Sequence, residues 1–138
     1  MAFEESLRAV SLLADASVAG YTGVPGLPGS AQPNSGNQYT FVVVTDTNTV
    51  GLATSGSDLA IGVLQNKPQV TGQAATVAIR GISKVVSSGD VTVGAPVTAD
   101  SDGRAVDATS GDRAHGIALK GSSTAGELIS VLLMATTV

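Results

Sequence analysis

His115 is the only histidine in this 138-residue chain, and Asp100 and Asp102 are spaced like the first two ligands of a cation loop. A histidine that works as a base or metal ligand needs a nucleophile, a second histidine or a carboxylate held beside it. His115 stands instead between Ala114 and Gly116, inside an apolar alternation, and reads as a strand residue facing solvent or partly buried. Cysteine is absent, so neither a thiolate metal site nor a disulfide can form. The sequence holds no Gly-x-Ser-x-Gly elbow and no glycine-rich loop ending in Lys-Ser or Lys-Thr. An enzyme built from it would have to work with carboxylates alone. No catalytic, cofactor-binding or metal-binding residue is expected.

The segment Asp100-Ser-Asp102-Gly-Arg104 is the nearest approach to a calcium loop. An EF-hand continues with an oxygen ligand at its fifth position and a glutamate at its twelfth, where this chain has Arg104 and Gly111. A hairpin turn with Asp102-Gly103 at its tip is the expected structure. A weak ion site built from Asp100, Asp102 and Asp107 is the lesser alternative.

The elements that carry these residues repeat. Gly62-Val63-Leu64, Gly72-Gln73 and the alternation Ala75, Val77, Ile79 return 54 residues later as Gly116-Ile117-Ala118, Gly126-Glu127 and Ile129, Val131, Leu133. Upstream, Thr54-Ser55-Gly56 with Asp58 is echoed by Thr109-Ser110-Gly111 with Asp112. Glycines, turn residues and aliphatics fold a chain without performing chemistry. The pattern predicts a duplicated β unit whose halves are related by a pseudo-twofold axis.

Composition agrees with an all-β protein. Seventeen glycines and 13% charged residues suit short strands and tight turns, and the four aromatics Phe3, Tyr21, Tyr39 and Phe41 leave a core of small aliphatic side chains. Strands are expected at 38–45, 50–53, 60–65, 74–86, 96–99, 104–108, 115–120 and 127–134, with Gly81 bending or bulging the longest. Eight such strands predict a small β-barrel or sandwich body over residues 38–138.

Residues 1–37 read as a separate N-terminal segment and arm. Phe3, Leu7, Val10, Leu12 and Leu13 fit an amphipathic helix by spacing, and the run from Ala9 to Leu13 fits a strand; periodicity leaves both open. From Ser17 to Asn37 the chain turns to Gly, Pro, Ser and Asn, which predicts an extended arm. Gly20, Gly23, Gly26 and Gly29 recur at every third residue in a brief collagen-like pattern, too short to favour a triple helix over an extended arm.

The net charge is −4, and the seven basic residues are scattered, so nucleic acid is not an expected partner. No run approaches the roughly 20 apolar residues of a membrane span, and Glu4 and Glu5 occupy the place of a signal peptide's basic region. The expectation is a soluble protein made inside a cell, with neither membrane nor nucleic acid as partner.

Several of these segments together resemble the capsid cement, or head decoration, proteins of tailed bacteriophages. They are Ala60-Ile-Gly-Val-Leu-Gln-Asn-Lys-Pro68, Ala75-Thr-Val-Ala78 with Gly81-Ile-Ser-Lys-Val85, Asp102-Gly-Arg-Ala-Val106, Gly116-Ile-Ala-Leu119, and Gly126-Glu-Leu-Ile-Ser-Val-Leu-Leu133. The resemblance spans about residues 38–134. It implies a non-enzymatic virion protein, made in the host cytoplasm, that binds the outside of the head and fastens neighbouring subunits of the major capsid protein. It also implies self-association, with a homotrimer preferred to a dimer. The stretch from Gly20 to Asn37 departs from the family by its length.

The two copies differ in a way that bears on contacts. Off the repeated face, the first presents Ala74, Thr76, Ala78 and Arg80, and the second presents Leu128, Ser130, Leu132 and Met134. A strand apolar on both faces is covered on both, by the body itself or by a partner. Leu128, Leu132 and Met134, with Phe3, Leu7, Val10, Tyr21, Val24 and Leu27 of the N-terminal segment, are therefore the candidate capsid or subunit contacts. A carbohydrate-binding or adhesive β module is the alternative class, weakened by the absence of tryptophan.

Overall fold

Aromatic and β-branched side chains fill the pleated, half-buried surface of a strand well, and runs of them set the architecture here. The computed structural model describes residue 2, residues 5–18 and residues 37–138. Nine strands follow in chain order: β1 (Glu5–Ala14), β2 (Phe41–Asp46), β3 (Thr49–Leu52), β4 (Gly62–Leu64), β5 (Ala74–Val86), β6 (Pro96–Ala99), β7 (Ala105–Asp107), β8 (Arg113–Ala118) and β9 (Leu128–Thr137). The described residues contain no helix. The open choice over residues 3–13 thus falls to a strand from Glu5 onward. The expected Gly/Pro arm, its triplet pattern and Phe3 lie outside the described residues.

Pairing runs β1-β3-β2-β4-β5-β9-β8-β6-β7, and β1 also pairs with β5, so the first five strands return on themselves. β1 is a full member of the sheet: Val10 faces Val77 and Leu12 faces Ala75 in antiparallel register. The strand Glu5–Ala14 therefore shares its hydrogen bonding with the body, and Ala14 shares its core.

One pattern of pairing occurs twice. Val42 faces Gly62 and Val63 faces Ala78; Val97 faces Gly116 and Ile117 faces Leu132. β1 runs parallel to β3 at Ala14 and Val50, and the end of β5 meets β7 in a parallel bridge between Ser87 and Ala105. β5 pairs with strands of both patterns. Its partner changes from β4 at Val77 and Ala78 to β9 from Ile82 onward, and between them Gly81 sits at φ +101°, a conformation glycine adopts without strain.

Two apolar clusters flank this wall. Phe41 and Val63 belong to one, their chain neighbours Val42 and Leu64 to the other, because successive strand residues point to opposite faces. Ala14 and Val18 complete the second cluster. Ala78, off the repeated face in the first copy, is fully buried, since β5 is paired on both sides at that point. The strand expected from Gln38 begins only at Phe41, because Tyr39 turns into the left-handed region at φ +64° while the Thr40 hydroxyl donates to the Asn37 carbonyl at 2.6 Å.

The turns use their polar residues locally. Thr54 donates its N–H and hydroxyl to Asp58 Oδ2, and Thr109 does the same to Asp112 Oδ2. Asn37 Nδ2 donates to the carbonyls of Ser17 and Val18, at 3.1 and 3.4 Å. The chain positions on either side of residues 19–36 are therefore joined by one side chain.

Candidate functional site

Splaying of two strands creates the main surface feature. β4 and β9 pair with successive stretches of β5, then diverge, β4 towards β2 and β9 towards β8. Ile79, Arg80 and Gly81 lie between the two pairings. A groove runs through the gap, lined by Ile61, Gly62, Ile79, Leu133, Met134 and Ala135, with a small cavity of about 70 Å³ at Phe41 and His115. It continues past Ala135 to Leu59 and Arg113.

The edge of β9 along this groove is open. β5 covers Leu128 to Leu132, and among the described residues no strand pairs with Leu133–Thr137 on the side away from β8. Unpaired main-chain groups on a strand edge are a template for another strand. Leu59 is 64% exposed and Met134 45%, so apolar surface reaches solvent at the mouth.

His115 closes the floor. Expected at least partly in solvent, it is only 7% exposed, because β8 turns it inward against the Phe41 ring at 5.1 Å and 56°. Burial pushes its pKa below the ordinary value, and the nearby Asp58 opposes this only in part. Its Nε2 is buried with no hydrogen-bond partner. Asp58 itself is held below the usual carboxylate range, chiefly by the Thr54 N–H.

At the other end the charge is positive. Arg8 of β1 and Arg80 of β5 are directly paired across the sheet, both exposed, and among the described residues neither guanidinium has a carboxylate or carbonyl partner. Like charges placed opposite each other repel.

The sequence-based candidates are only partly brought together. Leu132 is 39% exposed and pairs with Ile82 and Ile117, and Met134 lies two residues on beside the groove. Leu128 is half-buried opposite Val86, and Ser130 between them is fully buried, so the body covers the early part of the strand and leaves the later part open. Leu7 and Val10 lie on β1, half-buried and exposed respectively. Phe3, Tyr21, Val24 and Leu27 are outside the described residues. Sequence reasoning missed Leu59, Ile61, Ile79 and the arginine pair; only the position of Arg80 at the polar end of the first copy hinted at any of them.

The aspartates at 100 and 102 form a turn. Asp100 Oδ1 accepts from the N–H groups of Asp102 and Arg104 at 2.8 and 2.9 Å, and Gly103 takes φ +72° at the hairpin tip. Among the described residues no three His, Asp or Glu side chains are grouped to hold a cation.

A family model described as phage cement protein matches residues 32–133. The crystal structure of the N base of head fiber gp8.5 of bacteriophage phi29 is similar, with a TM-score of 0.65 and 15% identity over 96% of this chain and 98% of that one. At such identity the likeness is one of fold. No curated protein matches the chain by sequence.

Proposed function

Since the chain belongs to the phage cement protein family and is thus a structural component of a virion, we propose that it is a non-enzymatic clamp on the outer surface of the phage head. In this reading it is made in the host cytoplasm, binds the assembled shell and fastens neighbouring major capsid protein subunits. The family match over residues 32–133 is the observation that carries the proposal.

The physical properties of the body suit this role. A shell offers many identical sites, so modest affinity per contact becomes strong retention when several contacts are engaged together. A homotrimer on a local threefold axis would meet equivalent surfaces three times; a dimer is the lesser option. We read the body as a small barrel-like structure of two equivalent units sharing β5, a reading supported by the recurring pairings. Leu132 and Met134, with Leu7, Val10 and Leu128, are its proposed contacts, joined by Phe3, Tyr21, Val24 and Leu27 of the N-terminal segment.

The test is to mix the purified protein with heads assembled from the cognate major capsid protein. Co-sedimentation, and survival of decorated heads at temperatures that open bare ones, are the expected results. Absence of binding would reject the reading.

A further inference from the structure

The geometry points to the groove between β4 and β9 as the seat of an extended, carboxylate-bearing segment of the shell protein, added as a strand to the open edge of β9. This rests on the reading of the chain as a capsid-binding cement protein and names the surface and the chemistry of the contact.

Three independent features converge there. The edge from Leu133 to Thr137 offers five residues, roughly 16 Å at about 3.3 Å each, of main chain with no strand beside it among the described residues. An incoming strand would take up these N–H and C=O groups, and Ile61, Ile79 and Met134 would receive its alternate side chains. His115 provides the second feature. A buried ring nitrogen without a partner costs free energy, and a donor or acceptor from an occupant entering the small cavity would satisfy it.

The third feature selects the occupant. Arg80 lines the groove and is the cross-strand partner of Arg8, so two positive charges are placed on neighbouring strands, and the ion pair found among the described residues, Lys120–Glu127, involves neither. A carboxylate accepting from this pair would relieve the repulsion and form charge-assisted hydrogen bonds. The strand of a second copy, Leu133-Met-Ala-Thr-Thr137, brings no acidic side chain and its own Arg80. A foreign segment with an acidic residue beside apolar ones fits better.

Two experiments on the full chain decide the matter. In the first, a photo-crosslinking residue replaces Met134, and in a control protein it replaces Val93, which is 66% exposed on a loop before β6. After mixing with heads and irradiation, Met134 is expected to join an Asp- or Glu-containing stretch of the major capsid protein, and Val93 to join none. In the second, R8E/R80E and the milder Arg80→Gln are titrated against heads, with melting temperature and oligomeric state measured alongside. At least a tenfold loss of affinity for the double variant and a smaller loss for Arg80→Gln are expected, with the fold intact. Crosslinks from position 134 only to a second copy, or unchanged affinity of a folded Arg80→Gln protein together with no crosslink, would overturn the inference while leaving the cement reading in place. Failure of the unaltered protein to bind heads would overturn both.

Discussion

The ring of His115 packs 5.1 Å from the ring of Phe41, so the chain's one histidine and the one fully buried aromatic among the described residues meet where β4 and β9 diverge. Because burial depresses the imidazole pKa, the folded protein holds His115 neutral where the unfolded chain would already bind a proton. Stability is then fully present above the unfolded value of about 6.5 and declines as the pH falls below it, with a slope of at most about 1.4 kcal/mol per pH unit. Denaturant midpoints measured between pH 7.5 and 5 should drop, and His115→Leu should flatten that dependence. An equally steep profile in the variant would show that the titrating group is elsewhere.

Gly62 of β4 and Gly116 of β8 are each tight against the strand that follows in the chain. A methyl group at Gly62 would run into the Ala78 carbonyl oxygen, and one at Gly116 into Val131 and the Leu132 carbonyl oxygen. Backbone cannot yield as a flexible side chain can. Gly62→Ala and Gly116→Ala should each cost about 2–3 kcal/mol by chemical denaturation, whereas Gly89→Ala, with open space around it, should change little.

Asp58 and Asp112 hold equivalent turns, each accepting both a main-chain N–H and a hydroxyl from the preceding threonine. Replacing either by alanine should destabilise the fold by about 1 kcal/mol, the net worth of such exposed hydrogen bonds. Asp58, whose pKa is lowered, also contributes stability that is present at neutral pH and is lost as the pH falls below about 3.8, so Asp58→Ala should make stability fall less steeply on acidification in that range.

The N-terminal region divides into a part that folds with the body and a part that can be tested apart from it. Deleting residues 1–18 removes β1 with the buried Ala14 and Val18, and should leave a protein that fails to melt cooperatively. Asn37 is hydrogen-bonded to Ser17 and Val18 on the other side of residues 19–36, so replacing those residues by two or three glycines should preserve the melting transition. Head binding by that shortened protein measures directly whether Tyr21, Val24 and Leu27 contribute to adhesion.

Lys120 and Glu127 form an ion pair at 3.0 Å on the surface, and the lysine holds the Glu127 carboxyl below its ordinary range. Exposed pairs contribute little. Lys120→Met should shift the melting temperature by no more than a degree or two, roughly, and the difference should vanish in high salt.

Much of the strand content was legible because it is local. Alternation of side chains across a strand and the dihedral needs of turns are read within a few residues, so the long strand at 74–86, a backbone irregularity at Gly81 and the Asp102-Gly103 tip were all accessible from the sequence. The echo of Gly62 in Gly116 and of Thr54 in Thr109 also lay open, as did the resemblance that the family match over residues 32–133 bears out. Tyr39 shows the limit: an aromatic residue next to a strand run reads as strand, yet a left-handed turn places it outside.

The site lay beyond that limit. That β1 joins β5, that Arg8 faces Arg80, and that β9 outruns the cover of β5 all follow from pairings between residues far apart in the chain, and no local period encodes them. His115 illustrates the same point from within one strand, since alternation places it on a face but only the packing of Phe41 makes that face an interior. An all-β chain with matching turns could be read from the residues alone, because strand alternation and turn dihedrals reside in neighbouring residues. Which apolar side chains remain exposed, and that Arg8 lies across from Arg80, emerged with the fold, because both depend on which strand lies beside which.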